Sequence, residues 1–188
     1  TVQTKLNLEM AVSDDILAIA QALAPHDACL VPERREEVTT EGGLNVSGDQ
    51  VRIGAAVERL SKVGTRVSLF IDPEKGQIDA AVAIGAPVIE FHTGAYANAV
   101  KSEERRECYL KLAEMAAYAS SKGLHVNSGH GLTYENVTPI ASIKEMEELN
   151  IGHSIIARAI FVGLPAAVQE MKKIMQDARR FACTDFHF

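Results

Sequence analysis

The sequence predicts an α/β fold of parallel strands, specifically a (β/α)8 TIM barrel of which about six βα units are present. Three observations lead there. Six short runs rich in β-branched and aromatic residues alternate with segments of helical period, and that alternation means parallel strands joined by right-handed crossovers. Polar and ionisable residues collect near the C-terminal ends of those runs, where barrel enzymes keep their chemistry. No G-x-G-x-x-G follows a strand, which removes the main indication of a doubly wound dinucleotide-binding sheet.

Taken in order, Asn7 to Val12 is the first predicted strand. Ser13 caps a helix whose first turn holds Asp14 and Asp15, where negative charge suits the helix dipole; Ile16, Leu17, Ile19, Ala20 and Leu23 form its apolar stripe. Ala28 to Val31 is the second strand, closed by Pro32 and followed by a long polar loop, Glu33 to Asp49. Gln50 to Val63 is a helix with Ile53, Ala56, Val57 and Leu60 on one face. Thr65–Ile71 is the third strand, Glu74–Ile84 a helix, and Pro87–His92 the fourth strand, ended by Gly94. The longest helix spans Ser102–Ser121, and Leu124–Asn127 is the fifth strand. After the turn Gly129-His130-Gly131 come a short Pro139-containing helix, Asn136–Ile143, and the sixth strand, Glu148–Ile151. Ser154–Phe161 and Pro165–Arg180 close the barrel segment, so that residues 1–180 form a single barrel domain and 181–188 a tail.

A complete barrel has eight units and typically about 250 residues. Six units in 188 residues, beginning at Thr1 without an initiator methionine, lead to the expectation that two N-terminal units are missing from this sequence. A formal charge of -6 argues against a generic nucleic-acid partner. No apolar run is long enough for a membrane span. Cys29, Cys108 and Cys183 are odd in number and lack metal-type spacing, as expected of reduced thiols in a cytoplasmic protein.

Strands covered on both faces should be nearly all apolar, and these are not. Asn7 and Glu9 share one face of the first strand, Glu90 and His92 one face of the fourth, and His125 and Asn127 one face of the fifth. A buried carboxylate costs several kcal/mol unless it is paired or neutralised. Glu9, Glu90, His92 and His130 together therefore read as a catalytic group at the barrel mouth. Gly152-His153-Ser154 closes the sixth strand and opens a helix, whose free N–H groups and dipole make an anion site; with the Gly131 loop it forms the place where barrels bind phosphate. No lysine lies near a strand's C-terminal end, which argues against a lysine-imine aldolase. His92, His130 and His153 come from three strand ends with no H-x-x-H pair, a poor pattern for a metal site. What remains is acid–base chemistry on a phosphorylated substrate.

At these residues the chain resembles the pyridoxine 5′-phosphate synthase family. The resemblance rests on Asn7-Leu8-Glu9-Met10-Ala11, on Leu30-Val31-Pro32-Glu33 with Glu37-Val38-Thr39-Thr40-Glu41-Gly42-Gly43-Leu44, and on Val67-Ser68-Leu69-Phe70-Ile71-Asp72. It continues through Ile89-Glu90-Phe91-His92-Thr93-Gly94, Gly129-His130-Gly131-Leu132-Thr133-Tyr134 and Glu148-Leu149-Asn150-Ile151-Gly152-His153. It implies an octameric β/α barrel that condenses 1-deoxy-D-xylulose 5-phosphate with 3-amino-2-oxopropyl phosphate and releases phosphate and water; from the residues, no cofactor or metal is expected. It further implies Glu9 as proton acceptor, His130 as proton donor and Glu90 as the carboxylate that steadies the charged transition state. Thr39 would bind the deoxyxylulose phosphate, and Gly131, Gly152 and His153 the aminooxopropyl phosphate. The competing readings are a phosphosugar epimerase or lyase on the same kind of barrel, and a non-catalytic phosphate-binding fragment.

Overall fold

The structure, a computed structural model, describes residues 3–34, 37 and 42–181. Six parallel strands form one curled sheet in chain order: β1 (Asn7–Met10), β2 (Asp27–Leu30), β3 (Arg66–Ile71), β4 (Val88–His92), β5 (His125–Gly129) and β6 (Met146–Asn150). Between and after them lie α1 (Asp14–Leu23), α2 (Gln50–Ser61), α3 (Lys75–Ala83), α4 (Gly94–Asn98), α5 (Ser102–Ser121), α6 (Val137–Ser142), α7 (His153–Val162) and α8 (Leu164–Phe181). This is the architecture of a partial (β/α)8 barrel, with β1 and β6 as the edges of the sheet among the described residues.

The register explains why polar residues are tolerated in parallel strands. Side chains alternate across a strand, and only one alternating set faces the helices. That set, including Ala28, Leu30, Val67, Leu69, Ile71, Ile89, Phe91 and Val126, is buried in a single apolar core. The other set lines the concave face in level rows: Glu9 pairs with Cys29 and Cys29 with Ser68, Glu90 pairs with Asn127, and His92 pairs with Gly129. The sheet is thus apolar outside and polar inside, not apolar on both faces. The expectation of a buried charge at Glu9 is corrected accordingly: its side chain is exposed on the open concave face.

Helix stripes explain which elements pack well. All four expected positions of α2, Ile53, Ala56, Val57 and Leu60, are buried. In α1 only Leu17 and Ala20, one turn apart, are buried; Ile19 and Leu23 lie on the adjacent stripe and are 60% and 53% exposed. Gly94 does not simply end a strand but starts the short helix α4, and α7 begins at His153, one residue earlier than its periodicity suggests. α7 buries no residue among those described, and Ile160 and Phe161 on it are exposed. It is fastened to α8 by the Arg158–Glu170 ion pair at 2.9 Å, while Tyr134 donates to the α8 carbonyl of Ala167. Arg179 of α8 donates to the carbonyls of Ile143, Lys144 and Met146 and so fixes the α6–β6 turn. No helix among the described residues is long and apolar enough to cross a membrane.

Candidate active site

A cleft of about 590 Å³ opens at the C-terminal ends of the strands. Glu9, Glu90, His130, Gly131, Gly152 and His153 all line it, together with His92 and Asn150. Of the residues expected from the sequence, Thr39 alone is not placed there, because it lies outside the described residues. A second cavity of about 610 Å³ lies beside Arg34 and Arg52, but Arg52 is committed to Asp49, Glu37 and the carbonyl of Val12. That cavity is built around a structural ion pair.

His130 stands in the left-handed region at φ 81°, a conformation uncommon for any residue with a Cβ. The strain is held by Thr93 at the end of β4. The wholly buried Thr93 hydroxyl lies 2.6 Å from the carbonyl of Gly129 and 2.5 Å from that of His130, and its backbone N–H donates to Gly129 at 2.9 Å. On the other side, Gly131 sits so close to α4 that a Cβ would come 2.6 Å from the Ala97 methyl. The turn therefore needs glycine at 131 and is locked to β4. Burial, followed by the neighbouring His92 and His153 rings, holds the His130 imidazole below its ordinary pKa, against an opposing pull from Glu9. This favours the neutral imidazole, the form that can accept a proton.

His92 stacks edge-on against Phe70 and lies 4.8 Å, ring to ring, from His130. Behind it, buried Asp72 is 3.4 Å from its Nδ1 and also accepts the Gly43 N–H at 3.2 Å. A Cβ at Gly43 would come 2.5 Å from the Asp72 nitrogen, so the second glycine of the long loop is what lets that loop press against the end of β3. Asp72 carries no periodicity of its own, and only its place at the end of a strand hinted at this role.

Glu90 is buried, 3% exposed, at the floor of the cleft. Burial pushes its carboxyl up to about 7, helped by Glu9 and Glu148 and opposed by hydrogen bonds from Asn150 and Cys29. Room for it comes from Gly129 on the neighbouring strand, where any Cβ would collide with Oε1. Asn150 and Cys29 were not singled out from the sequence, because neither is near Glu90 along the chain.

At one end of the cleft lies the start of α7. The first N–H groups of a helix have no partner within it, and these follow Gly152, whose surroundings are open. The Ser154 hydroxyl donates to the Leu132 carbonyl at 2.9 Å, tying this helix start to the Gly131 loop. Among the described residues no three His, Cys, Asp or Glu side chains are grouped as a metal site.

The family model described as Pyridoxal phosphate biosynthesis protein PdxJ matches residues 1–177. The chain is 57% identical over 180 residues to the pyridoxine 5′-phosphate synthase of Aliivibrio fischeri and 55% identical over 180 residues to that of Photobacterium profundum. Each alignment covers 96% of this chain and 74% of the relative. Among solved structures, a xylose isomerase domain protein from Planctomyces limnophilus is similar with a TM-score of 0.56 at 14% identity, over 92% of this chain and 72% of that one. The Amycolatopsis orientalis BexX/CysO complex is similar with a TM-score of 0.58 at 14% identity, over 91% and 62%. At that identity the likeness speaks for the barrel architecture alone.

Proposed function

The chain belongs to the PdxJ family of pyridoxal phosphate biosynthesis proteins, enzymes of vitamin B6 formation, and we propose that its cleft carries out the family's ring closure. In this reading, 1-deoxy-D-xylulose 5-phosphate and 3-amino-2-oxopropyl phosphate condense to pyridoxine 5′-phosphate, with loss of phosphate and water. The observation that carries it is one cleft holding two carboxylates, a strained histidine and a helix start suited to phosphate.

Each group has a chemical part. Glu9, exposed and open to the cleft, accepts a proton from the condensing carbons. Neutral His130 takes up a proton and delivers it to a leaving oxygen, which then departs as water. Glu90, with its carboxyl near 7, stands beside the ring as positive charge develops on nitrogen, where an ionised carboxylate is stabilising. Gly131, Gly152 and His153 hold the aminooxopropyl phosphate at the α7 start, where backbone N–H groups and the helix dipole attract an anion. Thr39, by its place in the family motif, grips the deoxyxylulose phosphate. Residues 1–180 act as one barrel domain; of the expected tail, 181–188, Phe181 ends α8 and the rest lies outside the described residues. The setting is cytoplasmic, in keeping with free thiols. The homo-octamer is taken from the family resemblance, and sedimentation equilibrium would test it against eight chain masses.

Product formation from the two phosphates tests the reading. His130→Asn should stay folded, since asparagine tolerates left-handed backbone, and should lose about 10²–10⁴-fold in turnover. Near-normal turnover in a folded His130→Asn protein would remove His130 from the mechanism. Failure of the unaltered protein to form pyridoxine 5′-phosphate would remove the activity itself.

A further inference from the structure

We propose that Cys29 and Asn150 are positioning residues for Glu90, a two-sided clamp that fixes one carboxyl oxygen and leaves the other to carry the exchangeable proton. The proposal deepens the reading above, since it rests on Glu90 taking part in the chemistry. Both hydrogen bonds fall on the same atom: the Cys29 thiol is 3.3 Å from Oε2 and the Asn150 amide donates to Oε2 at 2.7 Å. The two donors come from β2 and β6, on either side of the strand that bears Glu90. Oε1 lies instead over the bare Cα of Gly129.

The thiol is built to donate. Cys29 is wholly buried, and burial, then the neighbouring Glu90 charge, push its pKa well above the ordinary thiol value. It therefore keeps its proton whatever Glu90 does. Ser68 on β3, the strand between those of Cys29 and Glu90, also hydrogen-bonds to the sulfur, so the order Cys29, Ser68, Glu90 runs across the concave face. A thiol is a weak donor, and it steadies the ionised carboxyl without forcing ionisation. The other titratable groups around Glu90 are Glu9 on β1, Glu148 on β6 and, on its own strand, His92; the first two oppose its ionisation. Burial and these two carboxylates, opposed by the clamp, hold Glu90 near its midpoint in neutral solution, where both proton states are on hand.

The test follows the Glu90 carboxyl band by difference infrared titration of the intact protein, assigned by its loss in Glu90→Gln, alongside the pH profile of kcat. Removing a donor to the ionised form raises the carboxyl's proton affinity. Cys29→Ala should move the midpoint up by about 0.5–1 pH unit and Asn150→Ala by about 1–2 units, and the matching limb of the kcat profile should move with it. Cys29→Ser, which restores a donor, should bring both back to or below their original positions. Where Cys29→Ala fails to fold, as judged by near-ultraviolet circular dichroism, Asn150→Ala decides the matter alone. A midpoint unmoved in the folded variants overturns the clamp. A midpoint that moves while the kcat profile stays put overturns its part in the reaction. Loss of the proposed activity would show separately, as absence of product from the unaltered protein, while the infrared midpoints still judge the clamp.

Discussion

At the scale of single residues, Glu90 makes a signed prediction about stability. Its carboxyl is raised from 4.5 to about 7 in the folded protein, so between those values the folded state binds more protons than the unfolded one. Stability contributed by this group is complete below pH 4.5 and is lost as pH rises through about 7. The loss is about 3 kcal/mol at 1.36 kcal/mol per unit. Urea unfolding across that range should show the original protein weakening relative to Glu90→Gln as pH rises; parallel curves would mean that Glu90 is not raised. His130 adds a second contrast. Its φ of 81° is tolerated by asparagine better than by alanine, so His130→Asn should melt above His130→Ala although neither can transfer the proton.

At the scale of elements, Thr93 joins β4 to the turn that follows β5. Thr93→Val deletes a hydroxyl that two buried-side carbonyls share. It should cost about 1–3 kcal/mol and lower turnover without touching substrate; unchanged melting and rate would show the turn to be held by Gly131 instead. The α7 start predicts a binding effect: phosphate at about 100 times its dissociation constant should add about 2.7 kcal/mol to stability, and Gly152→Val should weaken this. Flat melting temperatures across a phosphate titration would rule out an anion site there. This scale also shows what was legible in the sequence. His130 and the two glycine loops could be found because they follow strand ends, which are marked locally by β-branched runs and glycines, and Glu9 and Glu90 because a carboxylate stands out within a strand. The α2 stripe was legible because its four apolar positions repeat with the helix period. The clamp on Glu90 was not, because Cys29 and Asn150 lie 61 and 60 residues away and reach it from strands two places away in the sheet on either side. Nor was the surplus apolar surface of α1, since periodicity marks a stripe without saying how wide its contact will be.

At the scale of the whole molecule, the sheet has well-covered centre strands and two edges. β3 and β4 pair on both sides and carry fully buried residues such as Leu69 and Ile89, whereas β1 and β6 each pair on one side among the described residues. Opening free energies differ across such a structure. Native-state hydrogen exchange on the 188-residue chain should therefore find the slowest amides in β3 and β4 and faster ones in β1 and β6; uniform protection would mean that the sheet opens as one unit. The alternation that places apolar side chains on the helix side and polar ones on the concave side has a further consequence for redesign. Concave positions outside the proton-transfer group, such as 68 and 127, form a palette separate from the helix-facing positions. A combinatorial library confined to the concave set could retune which small phosphates are accepted while the melting point stays nearly constant, and a library confined to the helix-facing set could harden the scaffold without altering its selectivity.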